Sequence, residues 1–433
     1  MISPSYVSAL YSIPCSAEKQ GRQDEIPTDG HTKGTGMRGD GGMLRGTLGE
    51  ELGPEQMVSL GRAMGRLGRV GLGHAGGEGA AMLGRAAGAG VVAAGGTVLG
   101  HELRFPAGAA WLAGAYGLPA SLFISQMGSE ITLYLFGPDG LALPHEGQRA
   151  LERELSGGTP EQPAALGVWE HFAGARNRYT RQAAQSALLR DLPLRPLTLC
   201  IPQDSPADRA TAETLRRMGA TVIREETAGL PSFSAAQGGF ALQGRDEKGR
   251  LLSPERLLTL LCLIELEDGN GRVAVPDSAP AAIDVAAAGY CGTVLRLGRD
   301  GAQARALYSR LPWLRDACFA AARLTARMGL TGESLQTLDG KAPRFSTSRQ
   351  EVPLAGDSVP LLAALAAEEP RCTPVGQGVR LRTGSGWISL LPMKQRPVLR
   401  VVAECSDLEL AEELCGFYAR KVARLDRNLS AGK

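Results

Sequence analysis

Apolar positions in the early part of the chain recur at the spacing of a helix. In GPEQMVSLGRAMGRL, residues 53–67, apolar side chains stand at every third or fourth position, and Pro54 suits the first turn. The Gly/Ala-rich stretch from residue 71 to residue 96 then predicts a second helix that ends at Gly95 and Gly96. This part of the chain therefore predicts helices that pack closely on a sheet.

Two later segments show strand-like runs on either side of a helix-like run. In PLTLCIPQDSPADRATAETLRRMGATVI, residues 196–223, Ser205 can cap the helix and Gly219 can end it. The same alternation recurs in residues 272–297. Because a strand–helix–strand crossover places its two strands in parallel, these segments predict separate α/β units.

The pattern changes after residue 372. Residues 378–406, GVRLRTGSGWISLLPMKQRPVLRVVAECS, alternate β-type runs with a Gly-rich turn, which is typical of antiparallel hairpins. The following segment predicts an amphipathic helix with the capping box Ser406-x-x-Glu409. We therefore predict an α/β protein with three successive α/β/α domains with mixed sheets, followed by a smaller C-terminal α+β domain with an antiparallel sheet.

Shifts in composition suggest where these domains begin and end. Residues 1–40 are polar, Gly-rich and aperiodic, which predicts a poorly ordered extension. The predicted domains and linker are 41–160 for the first, 161–262 for the second, 263–345 for the third, 346–372 for a linker and 373–433 for the fourth.

Composition narrows the classes of partner. The 433 residues carry 47 Lys and Arg against 45 Asp and Glu, so the net charge of +2 gives no reason to expect nucleic acid or an acidic membrane. No run approaches the ~20 apolar residues that span a bilayer, and the start lacks a signal-like apolar region, so we expect a cytoplasmic protein. The eight cysteines include no C-x-x-C pair and are expected to be reduced core residues, and the five histidines do not suggest a zinc site.

The segment RVGLGHAG contains G-x-G-x-x-G at Gly71, Gly73 and Gly76. A dinucleotide site needs a strand before the first glycine, whereas a helical pattern runs almost to Gly71 here. It also needs an acidic residue about 20 positions on, and none lies between Glu78 and Glu102. Dinucleotide binding is thus a weak alternative, which a lack of NAD binding would eliminate.

Ser125 stands in FISQMGSEITLYLFGPDG, residues 123–140, where an apolar run leads into a polar stretch predicted as a loop. A serine at such a position is either a nucleophile or phosphate carrier, or a loop hydroxyl bonded to its own backbone. Local sequence favours the loop hydroxyl.

Four segments, in their order along the chain, resemble the α-D-phosphohexomutase superfamily of phosphoglucomutases and phosphomannomutases. They are MLRGTLGEELGPEQMVSLGRAMG, SQMGSEITLYLFGPDG, RDEKGRLLSPERLLTLL and WISLLPMKQRPVLRVVAE. The resemblance places Arg45 on the Arg-Gly pair of the substrate cleft and Ser125 at the phosphoserine. It implies a sugar-phosphate substrate, a bound Mg²⁺ and four domains around a central cleft.

The sequence departs from that family where the chemistry would take place. The D-x-D-x-D metal loop corresponds to Ala236, Gly238 and Phe240, so no metal or other cofactor is expected. Gln126 and Met127 replace the expected His and Asn, and the sugar loop G-E-E-S-G is absent between residues 297 and 315.

The phosphate loop corresponds to residues 391–397 and has lost its small hydroxyl residues and its glycine. Lys394, Gln395 and Arg396 remain as candidate phosphate-binding residues, since the two cations could pair with phosphate. The alternative interpretation, which the sequence favours, is that they are solvated loop cations.

Two functions follow from these observations. The first is a phosphohexomutase homologue that is not catalytic and binds a small phosphorylated sugar or an unidentified protein partner in carbohydrate metabolism. The second is an active mutase with Ser125 as phosphate carrier, which would need a new acidic cluster. Glu265, Glu267 and Asp268 are the nearest candidates, although a charged strand edge or turn is their simpler role.

Overall fold

Four β-sheets follow one another along the chain in the computed structural model. The residues that the structure describes are 38–40, 43–144, 147–148, 151, 165–188, 194–298, 301–369, 371–375, 378–393 and 397–431. Most of the predicted N-terminal extension lies outside this set. The described residues, from Arg38 to Ala431, belong to one unit of mutually contacting elements.

The first sheet is mixed and has seven strands in the order β1-β2-β6-β5-β3-β4-β7. Its strands are β1 Arg38–Asp40, β2 Met43–Thr47, β3 Arg69–Ala75, β4 Thr97–His101, β5 Ala120–Met127, β6 Glu130–Phe136 and β7 Trp169–Phe172. Helices α1 Pro54–Gly65 and α2 Glu78–Ala93 pack on one face, and α3 Pro106–Tyr116 packs on the other. The sheet thus takes its last strand from beyond residue 160, where the first domain was predicted to end.

The second sheet contains the predicted crossover of residues 196–223. Its strands are β8 Thr198–Cys200, β9 Thr221–Ile223, β10 Ser232–Ala236, β11 Ala241–Arg245 and β12 Leu251–Leu252. The helices of this unit are α4 Ala175–Ala187, α5 Pro206–Arg217 and α6 Pro254–Glu265. β8 and β9 are parallel, and Ser205 Oγ accepts a hydrogen bond from the backbone N–H of Asp208 at the start of α5. The predicted strands, helix and cap are therefore confirmed.

The third sheet has two parallel strands, β13 Arg272–Val275 and β14 Thr293–Arg296, joined by α7 Ala282–Gly289 as predicted. The remaining helices of this unit are α8 Gly301–Arg310, α9 Ala317–Thr331 and α10 Leu335–Lys341. Leu199 and Phe233 of the second unit share one apolar core with Val273 and Leu295 of the third. The second and third units are thus joined by a continuous core.

The fourth sheet is antiparallel, in the order β15-β19-β18-β17-β16, which confirms the predicted class of the C-terminal part. Its strands are β15 Ser346–Pro353, β16 Cys372–Val375, β17 Gly378–Arg382, β18 Gly386–Met393 and β19 Val398–Cys405. One face is covered by α11 Ser358–Glu368 and α12 Leu408–Ala431.

Two local predictions for this part of the chain are corrected. Residues 346–372 were predicted as a linker, but β15 pairs with β19 along eight residues and α11 packs on the sheet. The capping box was assigned to Ser406, but α12 begins at Leu408, and Asp407 Oδ1 accepts the Leu410 N–H at 3.0 Å. Asp407 is therefore the residue that caps this helix.

Five of the cysteines that the structure describes are buried as free thiols, as predicted, whereas Cys372 is half-buried and Cys291 is exposed. Within the described ranges, the structure has no helix with both the length and the apolar character to cross a bilayer.

Candidate functional site

Ser125 lies within a strand and not in a loop. It pairs with Ala75 of β3 and with Thr132 of β6, and its side chain is half-buried. β5 continues to Met127, which pairs with Glu130, so only Gly128 and Ser129 connect the two strands. Gly128 has a φ of +61°, which suits the first position of a two-residue hairpin turn. The prediction of a polar loop after Ser125 is therefore wrong, because a tight hairpin replaces it.

Arg45 and Ser125 share one face of the first sheet. Arg45 of β2 is in register with Thr132, which is in register with Ser125, and directly opposed residues point to the same side. Two strand spacings separate Arg45 from Ser125, or about 10 Å. The guanidinium lies 3.7 Å from the Glu130 carboxylate, with both side chains more than half exposed, so Arg45 remains accessible to a ligand.

Gln126, which stands where the family has histidine, has a structural role here. Its Oε1 accepts the backbone N–H of Ala80 at 2.9 Å, in the first turn of α2, and its Nε2 donates to the Gly128 carbonyl at 2.9 Å. The residue before that helix, Gly77, has no side chain to cap it. Gln126 therefore caps α2 from the neighbouring strand, and the next residue, Met127, is 81% exposed.

The loop that corresponds to the family's metal loop reaches the face of the sheet that carries Ser125. Gln237–Gly239 form a 3-10 turn between β10 and β11, and all three residues have positive φ. A Cβ on Gly238 would lie 2.9 Å from Cγ of Pro106, at the start of α3. The ring of Phe240 lies 6.3 Å from that of Tyr134 and 6.0 Å from that of Phe136, between ring centroids. Tyr134 and Ser125 point to the same face, since Phe123 opposes Tyr134 and is two residues from Ser125.

These residues do not fit a magnesium ion. Mg²⁺ is bound by oxygen ligands, usually carboxylates, and Ala236, Gly238 and Phe240 provide no side-chain oxygen. Phe240 of this loop instead packs beside Tyr134 and Phe136. Within the ranges that the structure describes, no three His, Cys, Asp or Glu side chains are arranged to hold a metal ion.

The alternative acidic cluster is engaged in ion pairs. Glu265 ends α6 and is followed by a π-helical turn, Leu266–Asn270, so these residues do not form the predicted strand. Glu267 pairs with Arg327 and Asp268 with Arg323, both on α9. Tyr290 Oη also donates to Glu267 at 2.8 Å. The predicted turn is confirmed, and these carboxylates stabilise the contact of α6 with α9.

Lys394, Gln395 and Arg396 lie outside the described residues, so their phosphate-binding role remains a prediction. The flanking residues Met393 and Val398 pair across the β18–β19 hairpin.

The G-x-G-x-x-G segment is also placed differently from its prediction. Gly71 and Gly73 lie inside β3, where a helical pattern was expected to continue. A Cβ on Gly71 would lie 2.7 Å from Ser121 Oγ, and one on Gly73 would lie 2.2 Å from Cε1 of His101. These glycines make room for neighbouring side chains and do not form a phosphate-binding turn.

The buried His101 should make stability depend on pH. Burial, with a smaller contribution from the nearby His74, lowers its pKa from 6.5 to about 4. The folded protein favours the neutral imidazole. The contribution of His101 to the free energy of unfolding is therefore complete above pH 6.5 and is lost as the pH falls toward 4. Between pH 7.5 and pH 5, the free energy of unfolding of the wild type should fall by about 2 kcal/mol relative to that of His101→Phe. Urea denaturation of both proteins at each pH tests this, and a difference that does not change with pH would contradict it.

The fold resembles solved phosphohexomutases over most of the chain. A phosphoglucomutase/phosphomannomutase family protein from Burkholderia thailandensis superposes with a TM-score of 0.71 at 16% identity, covering 89% of this chain and 97% of that one. A putative phosphomannomutase from Thermus thermophilus gives a TM-score of 0.68 at 18% identity, covering 90% of this chain and 99% of that one.

No protein-family model matches the chain. A curated relative described as a probable phosphoglucosamine mutase, from Methanocella arvoryzae, is 24% identical over 428 residues, covering 86% of this chain and 94% of the relative. The chain is thus similar in fold, and at low identity in sequence, to members of the α-D-phosphohexomutase superfamily. Ser125 and Arg45 share one face of the first sheet, and Phe240 of the loop Ala236–Phe240 packs on the same face. The roles that the resemblance implies for Ser125 and Arg45 remain predictions.

Sequence reasoning missed the aromatic contact at this site. The alternation of aromatic residues in LYLF, with Tyr134 two positions before Phe136, was a signal that one face of β6 packs against another ring. Nothing local identified Phe240 as that ring.

Proposed function

We propose that this phosphohexomutase homologue binds a sugar phosphate without transferring the phosphoryl group. The observation that carries the proposal is the packing of Phe240 on Tyr134 and Phe136, at the place that corresponds to the metal loop. Phosphoryl transfer depends on neutralising the charge that develops on the phosphoryl oxygens, which a metal ion would do. An aromatic ring cannot supply that charge.

The surroundings of Ser125 support the same proposal. Ser125 is paired on both sides within the sheet, and the side-chain amide of the adjacent Gln126 is already hydrogen-bonded to Ala80 and Gly128. A serine becomes a good nucleophile when a base or a metal activates it. Gln126 cannot act as that base, because a side-chain amide does not accept a proton near neutral pH.

The remaining groups on this face suit binding. The Arg45 guanidinium can form a forked, charge-assisted pair with a phosphate. The hydroxyls of Ser125, Thr132 and Tyr134 point to the same side of the sheet, where they can exchange hydrogen bonds with sugar hydroxyls. We infer that the occupant is a small phosphorylated sugar, in agreement with the mutase relatives of the chain.

An activity assay tests the catalytic part of the proposal. Glucose 1-phosphate, mannose 1-phosphate and glucosamine 1-phosphate would each be supplied with Mg²⁺ and the corresponding bisphosphate. We expect wild type and Ser125→Ala to give the same background rate. Turnover of about 1 s⁻¹ or more that disappears in Ser125→Ala would instead establish an active mutase with Ser125 as phosphate carrier.

A binding measurement tests the remaining part. Isothermal titration with glucosamine 6-phosphate should give saturable binding that is about tenfold weaker in Arg45→Ala, since a charge-assisted phosphate contact is lost. Arg62→Ala, an exposed arginine of α1, is the matched control and should bind as the wild type does. Equal affinity in the wild type and both variants would show that Arg45 does not contact the ligand.

A further inference from the structure

A cavity of about 230 Å³ lies on the second unit and is separate from the Ser125 face. It is bounded by α4, by α5 and by the segments that follow β8 and β9. Its lining includes Arg176, Gln203, Asp204, Arg209, Arg216 and Arg224. β8 and β9 are parallel, so the cavity adjoins the carboxyl ends of two parallel strands, where open α/β sheets commonly bind ligands.

Arginines outnumber carboxylates in the lining of this cavity, and two of the carboxylates each pair with two arginines. Asp204 pairs with Arg209 at 3.1 Å and with Arg224 at 2.8 Å. In the same way, Glu213 pairs with Arg176 at 3.0 Å and with Arg217 at 2.8 Å. The first pair of guanidinium groups also lowers the pKa of Asp204, mainly through the hydrogen bond from Arg224.

A third carboxylate, Asp208, also lines the cavity and leaves an excess of one positive charge among the lining side chains. Asp208 is buried, and its oxygens accept hydrogen bonds from Ser205 at the start of α5 and from the backbone N–H of Ala235 at 2.7 Å. It therefore forms the capping box of α5 together with Ser205.

Arg216 adds a cation whose charge is not matched. Among the side chains that the structure describes, it has no carboxylate within 4.0 Å, and its Nη2 donates only a long 3.3 Å bond to the Val222 carbonyl. Arg209 and Arg216 are seven residues apart on α5, so two helical turns bring them to the same side. Their guanidinium groups, together with that of Arg224, border one space.

We propose that this cavity binds a small phosphorylated anion with more than one negative charge. Guanidinium groups present paired N–H donors that match phosphate oxygens, and three of them around one space favour a compact polyanion over a single carboxylate. The volume is below the range of roughly 300–1,000 Å³ that holds drug-sized ligands, which suits a compound no larger than a simple phosphorylated metabolite. The site is independent of the sugar-phosphate site proposed around Arg45.

Titration with inorganic pyrophosphate tests this proposal. Isothermal titration of the wild type should give saturable binding that weakens as salt is raised, because the contacts are between exposed charges. The double variant Arg216→Ala/Arg224→Ala should bind at least about tenfold more weakly. Arg310→Ala/Arg424→Ala removes the same charge from exposed arginines elsewhere and should bind as the wild type does.

Two further variants test whether pyrophosphate binds in this cavity. Arg45→Ala should retain pyrophosphate binding, which separates the cavity from the Ser125 face. Arg216→Lys should bind with intermediate affinity, since a point charge replaces a fork at the same position. Circular dichroism spectra that match the wild type would exclude misfolding of the variants. The proposal is overturned if pyrophosphate binds the wild type no better than chloride at equal ionic strength, or binds the cavity double variant with unchanged affinity.

Discussion

Replacing Glu404 with alanine should lower the free energy of unfolding by roughly 3–5 kcal/mol, because its carboxylate holds the third and fourth units together. Glu404 lies on β19 and is 8% exposed. Its two oxygens accept the backbone N–H groups of Ala281 and Ala282 at the start of α7, each at 2.7 Å. Alanine would leave both donors buried without a partner.

Two buried arginines depend on the same negative charge. Arg380 of β17 donates to the Ala279 carbonyl at 2.9 Å, and Arg296 of β14 donates to it at 3.0 Å. Burial, together with the nearby charge of Arg296, lowers the pKa of Arg380 to about 10, while Asp284 and Glu404 act in the opposite direction. Without Glu404, Asp284 is the main carboxylate left beside these cations.

Urea denaturation of wild type and Glu404→Ala, followed by intrinsic fluorescence, measures this loss. Glu351→Ala is the matched control on the neighbouring strand β15, since Glu351 pairs with Arg400 at 3.0 Å but is half exposed. Glu351→Ala should lower the free energy of unfolding by less than about 1 kcal/mol. Equal, small losses in both variants would contradict the assigned role of Glu404.

Local pattern predicted the elements whose signals lie within a few residues. The helix α5 could be read from Ser205 before it and Gly219 after it, because caps and terminators act through bonds within one turn. The β18–β19 strands and the final helix followed from alternation and amphipathicity in the same way. The linker prediction failed for a related reason: the strand Ser346–Pro353 is held by β19 and not by its own composition.

The candidate site was predictable only in part. That Ala236, Gly238 and Phe240 lack carboxylates follows from residue identity and needs no geometry. The aromatic packing found in place of the carboxylates could not be predicted from the sequence, because the contact between Phe240 and Tyr134 joins residues far apart in the chain. The tight turn at Gly128 and Ser129 was likewise hidden, since a polar hairpin tip and a polar loop have the same local composition.

The close packing of α1 on α2 explains why the first unit contains so many small residues. Gly61 of α1 lies against Ala87 of α2, and a Cβ on Gly61 would stand 1.9 Å from the Ala87 carbonyl oxygen. A Cβ on Gly90 would likewise stand 2.1 Å from the Val58 carbonyl oxygen. Because backbone atoms line both contacts, a side-chain rotation cannot relieve a clash, and the helices would have to separate.

Gly61→Ala should therefore destabilise the protein by about 3 kcal/mol or slightly more, at the upper end of the usual cost of overpacking. The helix propensity of alanine would offset at most about 1 kcal/mol of that cost. Gly84→Ala, in α2, is the matched control, since its added Cβ would meet His74 Cδ2 at 3.6 Å, an ordinary contact. It should be neutral or slightly stabilising. Thermal and urea unfolding of the two variants would separate these effects, and similar stability of both proteins would show that α1 and α2 do not pack through these glycines.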